Sequence, residues 1–165
     1  MKVFVYPVII CLLAIFSAPA QNNGLGFRAG LSFDNITMEG NFRHAFEKSQ
    51  LEVDAGLLIC TKGAATDVFI AYHFVFPFTN KPGLCWYVGP GIGSGLYFNS
   101  EYARPYESSK KHYFNGAGIQ AGLSYTFDFP VQVSLDTRDA LYHDSYYDVV
   151  FLSNFALSVR YLFGK

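Results

Sequence analysis

The sequence predicts an all-β fold, a closed antiparallel up-and-down barrel of about eight strands that crosses a membrane. Three observations predict it. Apolar and polar residues alternate with a period of two through most of the chain. Charged residues inside those alternating runs keep to the non-apolar parity, and Tyr, Trp and Phe gather toward the runs' ends. Successive side chains of a strand point to opposite faces, so alternation is what a strand shows when its two faces meet different surroundings.

The chain begins MKVFVYPVIICLLAIFSAPA, with Lys2, an apolar run from Val3 to Phe16, and Ala18-Pro19-Ala20 in the pattern of a cleavage site. The run is shorter than the roughly 20 residues that span a bilayer as a helix. Residues 1–20 therefore read as a signal peptide cleaved after Ala20, and 21–165 as one barrel domain. Cys11 lacks the small preceding residue of a lipoprotein signal, which argues against a lipid anchor. About 145 residues remain, the size of a single domain.

From Gly24, GLGFRAGLSF sets Leu25, Phe27, Ala29, Leu31 and Phe33 against Gly24, Gly26, Arg28, Gly30 and Ser32. Next, Ile36, Met38, Gly40 and Phe42 alternate with Thr37, Glu39, Asn41 and Arg43, a faint pattern taken as a strand because both chain ends on one side require an even number. Leu51, Val53, Ala55, Leu57 and Ile59 oppose Glu52, Asp54, Gly56 and Leu58, and Val68 to Phe76 oppose Asp67 to Val75. From Leu84 to Phe98 one parity is Leu, Trp, Val and Ile, and the other is nearly bare: Cys85, Tyr87, Gly89, Gly91, Gly93 and Gly95. Glycine weakens a strand unless something approaches its backbone closely, so inward side chains of other strands are expected over those positions.

Ala117 to Phe127 alternate with Gly116 to Thr126, and after the tight connection Asp128-Phe129-Pro130, Val131, Val133, Leu135 and Thr137 oppose Gln132, Ser134, Asp136 and Arg138. The last strand runs from Val149 to Phe163, with Phe155, Leu157, Val159, Tyr161 and Phe163 on one face and Asn154, Ser158 and Arg160 on the other.

Alternation alone also fits a soluble lipocalin-like binding barrel. The aromatic strand ends favour lipid: Trp86, Tyr125, Phe127, Tyr161 and Phe163, with Tyr97 and Phe98, suit girdles at the two interfaces. Arg28, Glu52, Asp54, Asp136, Arg138 and Arg160 are placed in the lumen as a polar network of both signs. Eight strands leave an interior only wide enough for side chains to fill, which argues against a diffusion pore. The connections Asn99 to Phe114 and Asp139 to Asp148 are expected as long outer loops, with Pro77 to Gly83 and Asp128 to Pro130 as short turns on the other side.

At KPGLCWYVGPGIGSGLYF, GAGIQAGLSYTFDFPVQVSLDTRD and ALSVRYLFGK the chain resembles the small outer-membrane β-barrel proteins of Bacteroidota-type Gram-negative bacteria, similar in build to OmpA/OmpX-type barrels. The resemblance implies an eight-stranded barrel in the outer membrane and brings no catalytic residues with it.

Other chemistries find little purchase. The formal net charge of -1 leaves no electrostatic footprint for nucleic acid. His44, His73, His112 and His143 are scattered and the cysteines single, so no metal or cofactor is expected. GPGIGSG lacks the ending of a phosphate loop. Tyr142 to Tyr147 contain His143, Asp144 and Ser145, but three consecutive residues cannot form a triad by themselves, and the segment reads as a polar, aromatic loop tip. Cys60 and Cys85 should lie toward opposite ends of the barrel, too far apart to bridge. The expected role is non-enzymatic, structural or surface-interacting. Its partners would be membrane lipid and, at loops that include Lys110, Lys111 and His112, lipopolysaccharide or surface ligands. A narrow channel or a lipid-modifying enzyme is the alternative.

Overall fold

The computed structural model describes residues 23–33, 35–60, 63–100, 113–144 and 148–164. Eight strands follow in order: β1 (Asn23–Leu31), β2 (Asn35–Ala45), β3 (Ser49–Cys60), β4 (Gly63–Pro77), β5 (Leu84–Ser100), β6 (Tyr113–Thr126), β7 (Val131–Asp144) and β8 (Asp148–Phe163). Each pairs antiparallel with the next, and β8 closes on β1, so the sheet is a barrel without edges. The faint alternation from Ile36 to Phe42 is a strand of full standing, β2.

Following ladder partners from Phe27 through Gly40, Ala55, Val68, Ser94, Asn115 and His143 leads to Val149. Phe27 itself pairs with Val159, ten residues away on the same strand. A stagger of ten on eight strands tilts them by roughly 40° to the barrel axis, so each residue climbs about 2.5 Å of height.

The strand connections at one end are the turns 46–48, 78–83 and 127–130. Gly83 has a φ of 83° in the turn between β4 and β5, a conformation that a side chain disfavours. Connections at the other end fall at 32–34, 61–62, 101–112 and 145–147. The expected outer loop from Asp139 to Asp148 is therefore mostly strand. β7 and β8 run on until only 145–147 separates them, because their backbones keep pairing from Asp139↔Ser153 to Asp144↔Asp148. Outer-end asymmetry consequently rests on the single segment 101–112. Residues 1–20, the expected leader, lie outside the described residues.

Within β5, Pro90 occupies a strand interior. Proline has no N–H to give the ladder, and β4–β5 pairing pauses between Ala71↔Gly91 and Phe74↔Val88.

The polarity is inverted relative to a protein that folds around an oily core. Arg28 and Glu39 inside the barrel are 0% exposed, while Leu135 and Phe155 on its outer wall are 58% and 67% exposed. Parity in the sheet does this: on β1, Leu25, Phe27 and Leu31 are exposed and the intervening Gly24, Arg28 and Gly30 buried.

Candidate functional site

The residues with most chemistry lie in the lumen, where alternate positions of all eight strands converge. Three arginines organise the middle of it. Arg28, on β1, donates to Glu39 Oε2 at 2.6 Å, to Asp136 Oδ1 at 2.7 Å and to Asn154 Oδ1 at 2.8 Å. Arg138, on β7, donates to the other oxygen of Glu39 at 2.8 Å and to Asp54, and its guanidinium lies 4.2 Å from the Phe69 ring centroid. Arg160, on β8, reaches Glu52 Oε1 and Ser134 Oγ, both at 2.8 Å, and Asn41. Asn41 in turn donates to Asp54. A guanidinium offers five donors in a fixed fork, which lets one arginine tie strands from different sides of the barrel.

Two tails extend this cluster. Toward the end with connections 101–112 and 145–147, Asn154 donates to Thr37 at 2.9 Å. Toward the short-turn end, Arg160 and Arg43 both reach Gln132 Oε1, at 3.4 and 2.6 Å, and Gln132 donates to Thr126 at 2.9 Å. Gln50 sits 3.1 Å from His73 Nδ1. The polar contacts thus form one column from Thr37 to Thr126.

Of the six residues singled out from sequence for the lumen, Arg28, Glu52, Asp54, Asp136, Arg138 and Arg160 are all buried, and every one is held by at least one of these bonds. Sequence reasoning placed Glu39, the acid shared by Arg28 and Arg138, on the inward parity but left it out of the expected network, and it missed Asn41 and Gln132, which splice the arginines together. Their inward parity on β2 and β7 was the available signal. It also missed that Arg43 is buried without a carboxylate in ion-pair reach among the described residues.

Above the charges lies an apolar layer. Leu58, Ala65, Phe69, Phe114, Ala140 and Tyr142 form a buried cluster, with Tyr97 and Leu152 packed against it. The bare parity of β5 makes room for it: a Cβ on Gly93 would stand 2.7 Å from Tyr142 Oη and 2.8 Å from Phe69 Cδ2, and one on Gly95 only 2.1 Å from Phe114 Cζ. Beside this layer runs a small cavity, lined on one side by Leu58, Phe114, Ala140 and Tyr142 and on the other by Thr37, Asp67, Arg138 and Asn154, with room for a water or two.

Two sequence expectations are corrected here. Tyr97 is not an interface aromatic: it is on the lumen parity, 5.2 Å ring to ring from Phe114. Tyr142 is not at a loop tip but inside the barrel, while the next residue, His143, is exposed on the outer wall. Adjacent strand residues face opposite sides, so these two cannot share a site. Ser145 to Tyr147, His112 and the Phe98 side chain lie outside the described residues.

On the wall, Trp86 stacks on Phe76 at 4.2 Å, and Tyr125, Phe127 and Phe129 form a chain of ring contacts at 4.9 and 5.0 Å. With Tyr161 exposed and Phe163 half-buried near the end of β8, these rings encircle the short-turn end. Cys85 is a free thiol, and ladder pairs put Cys60 and Cys85 toward opposite ends of the barrel. Among the described residues no three His, Cys, Asp or Glu side chains gather as a metal-ligand set.

The fold is shared with known membrane barrels. Neisserial surface protein A superposes with a TM-score of 0.61 at 12% identity, over 86% of this chain and 95% of that one. The N-terminal β-barrel domain of Pseudomonas aeruginosa OprF gives 0.61 at 19%, over 88% and 100%. Outer membrane protein H of P. aeruginosa, in DHPC micelles, gives 0.66 at 15%, over 87% and 100%. At such identities the similarity is one of fold. No protein-family model matches the chain, and no curated protein matches it by sequence.

Proposed function

We propose that this chain is an integral outer-membrane β-barrel with a non-enzymatic, structural or surface-interaction role, exported by a signal peptide removed after Ala20. The observation that carries the reading is the inverted polarity: ion-paired arginines and carboxylates within, and Leu, Phe and Ile exposed around the wall. In water such a wall would be an aggregation surface far beyond the few hundred Å² that soluble monomers expose, which disfavours the lipocalin-like alternative. Trp86, Tyr125, Phe127, Tyr161 and Phe163 then belong to the interface at the short-turn end, which we assign to the periplasm. The similarity of fold to three outer-membrane barrels supports the same location, while the affinity to Bacteroidota-type bacteria rests on sequence resemblance alone.

The polar column acts in this reading as a plug. Lipopolysaccharide or another surface ligand would meet the segment with Lys110, Lys111 and His112. The second reading, a narrow ion path, is favoured by one observation, the continuity of polar contacts from Thr37 to Thr126. Fractionation of cells followed by electrophoresis of unheated and boiled samples tests the main reading. The protein should stay with outer membranes and migrate faster unheated; recovery in the soluble fraction without detergent would refute it.

A further inference from the structure

The small cavity beside the apolar layer has two unlike sides, and neither the plug nor the wall accounts for it. Its apolar side carries the rings of Phe114 and Tyr142, edge to face at 5.2 Å, and its polar side carries Asp67, Thr37 and Asn154. Ser32 and Asn35, which flank the β1–β2 connection, also line it, so it reaches toward the outer end of the barrel.

Charge in this half of the lumen does not balance. Arg28 and Arg138 face four buried acids, Glu39, Asp54, Asp67 and Asp136. Glu39 gives one oxygen to each arginine, Asp54 pairs with Arg138, and Asp136 pairs with Arg28. Asp67 is left over. It is 9% exposed, no arginine ion-pairs with it among the described residues, and its Oδ1 has no hydrogen-bond partner there. Burying a carboxylate without a partner is costly, and the cavity that Asp67 lines gives room for a counter-ion.

Size and lining decide which cation. The room is that of a water or two, which admits an ion of one or two heavy atoms and excludes a guanidinium or a quaternary ammonium. A hard metal ion takes oxygen ligands on all sides. Half of this lining is hydrocarbon and ring, and among the described residues no three His, Cys, Asp or Glu side chains gather. A primary ammonium group suits both sides. Its three N–H donors match the free Oδ1 of Asp67 and the hydroxyl oxygen of Thr37, which already accepts from Asn154 at 2.9 Å. Its positive charge and a short alkyl end are favoured against aromatic rings.

We propose that the cavity binds a small primary alkylammonium ion, held by Asp67 and entering from the outer end. The site is internal and does not depend on what surrounds the wall. Methylammonium, with its single carbon and nitrogen, is the probe. It is titrated into the barrel folded in detergent micelles while backbone amide shifts are followed by NMR, with sodium and tetramethylammonium run at the same ionic strength.

Methylammonium should give saturable shifts at Thr37, Asp67 and Ala140, half complete at about 10 to 100 mM, the range open to so small a ligand. Sodium and tetramethylammonium should give none there. Asp67→Asn, which keeps the size and removes the charge, should weaken binding by about tenfold or more, as loss of a hydrogen bond to a charged group does. Equal responses to the three cations, undiminished binding in Asp67→Asn, or no saturable shift in the wild type, as when a proton alone neutralises Asp67, overturns the proposal. Should Asp67→Asn not fold, the comparison of cations on the wild type decides by itself.

Discussion

Arg28 shows how a single side chain holds the lumen. It bonds Glu39 from the neighbouring strand β2 and Asp136 from β7, two strands away on its other side, with all three buried. Removing one partner of a buried pair leaves the other charged and unsolvated, which costs about 3 to 5 kcal/mol. Arg28→Met should therefore destabilise the barrel by about that much in urea-induced unfolding from lipid vesicles. A loss under about 1 kcal/mol, the range of exposed pairs, would mean that water reaches these groups freely. A packing counterpart is Gly93, where a methyl would press on Tyr142 Oη and Phe69. Gly93→Ala should cost about 1 to 3 kcal/mol by overpacking. Adding Tyr142→Phe should recover part of that loss in a double-mutant cycle, and strict additivity would show that the two positions do not touch.

At the scale of one strand, β7 carries a ruler of depth. Leu135 and Leu141 are both exposed on the wall at 58%. Six residues separate them, about 15 Å of height at the barrel's tilt, with Leu135 nearer the middle of the apolar band and Leu141 close to its far edge. Arginine at Leu135 should cost about 2 to 4 kcal/mol and arginine at Leu141 about 0 to 1, read from unfolding in vesicles. The reverse order would misplace the band. This strand also shows what the sequence concealed. Period two was plain up to Arg138, then Asp139 and His143 took outward positions and Tyr142 an inward one, which reads as a loop because polarity no longer tracks the face. Pairing with β8 settles the question, and pairing is not visible in one strand's composition. Conversely β2 was faint only because Gly40 and Asn41 have little hydrophobic contrast, while Ile36, Met38 and Phe42 still fixed its face. Parity was enough to send Arg28 and Asp136 inward, yet they are 108 residues apart, and only the stagger of ten between β1 and its return on β8 brings them together.

Across the whole molecule the lumen is closed twice, by the apolar layer around Phe69, Phe114 and Tyr142 and by the ion-paired column beneath it. The two seals differ in kind. Aromatic rings in a narrow space block ions by excluding water, whereas the column blocks by filling the cross-section with side chains that are each bonded to several strands. Wild type is accordingly expected to be silent in planar bilayers. Replacing Phe69, Phe114 and Tyr142 together by alanine should leave it silent, since Arg28, Arg138 and Arg160 still span the lumen below. Conductance should appear only when Arg138→Ala and Asp54→Ala are added, which removes a cross-lumen pair without leaving one partner alone. The buried charges then remaining among the described residues are Arg28, Arg43 and Arg160 against Glu39, Glu52, Asp67 and Asp136, one negative charge in excess, so the current should favour cations and weaken its preference at high salt. Current through the triple alanine variant would show the rings to be the true gate, and current through the wild type would replace the plug with the channel reading.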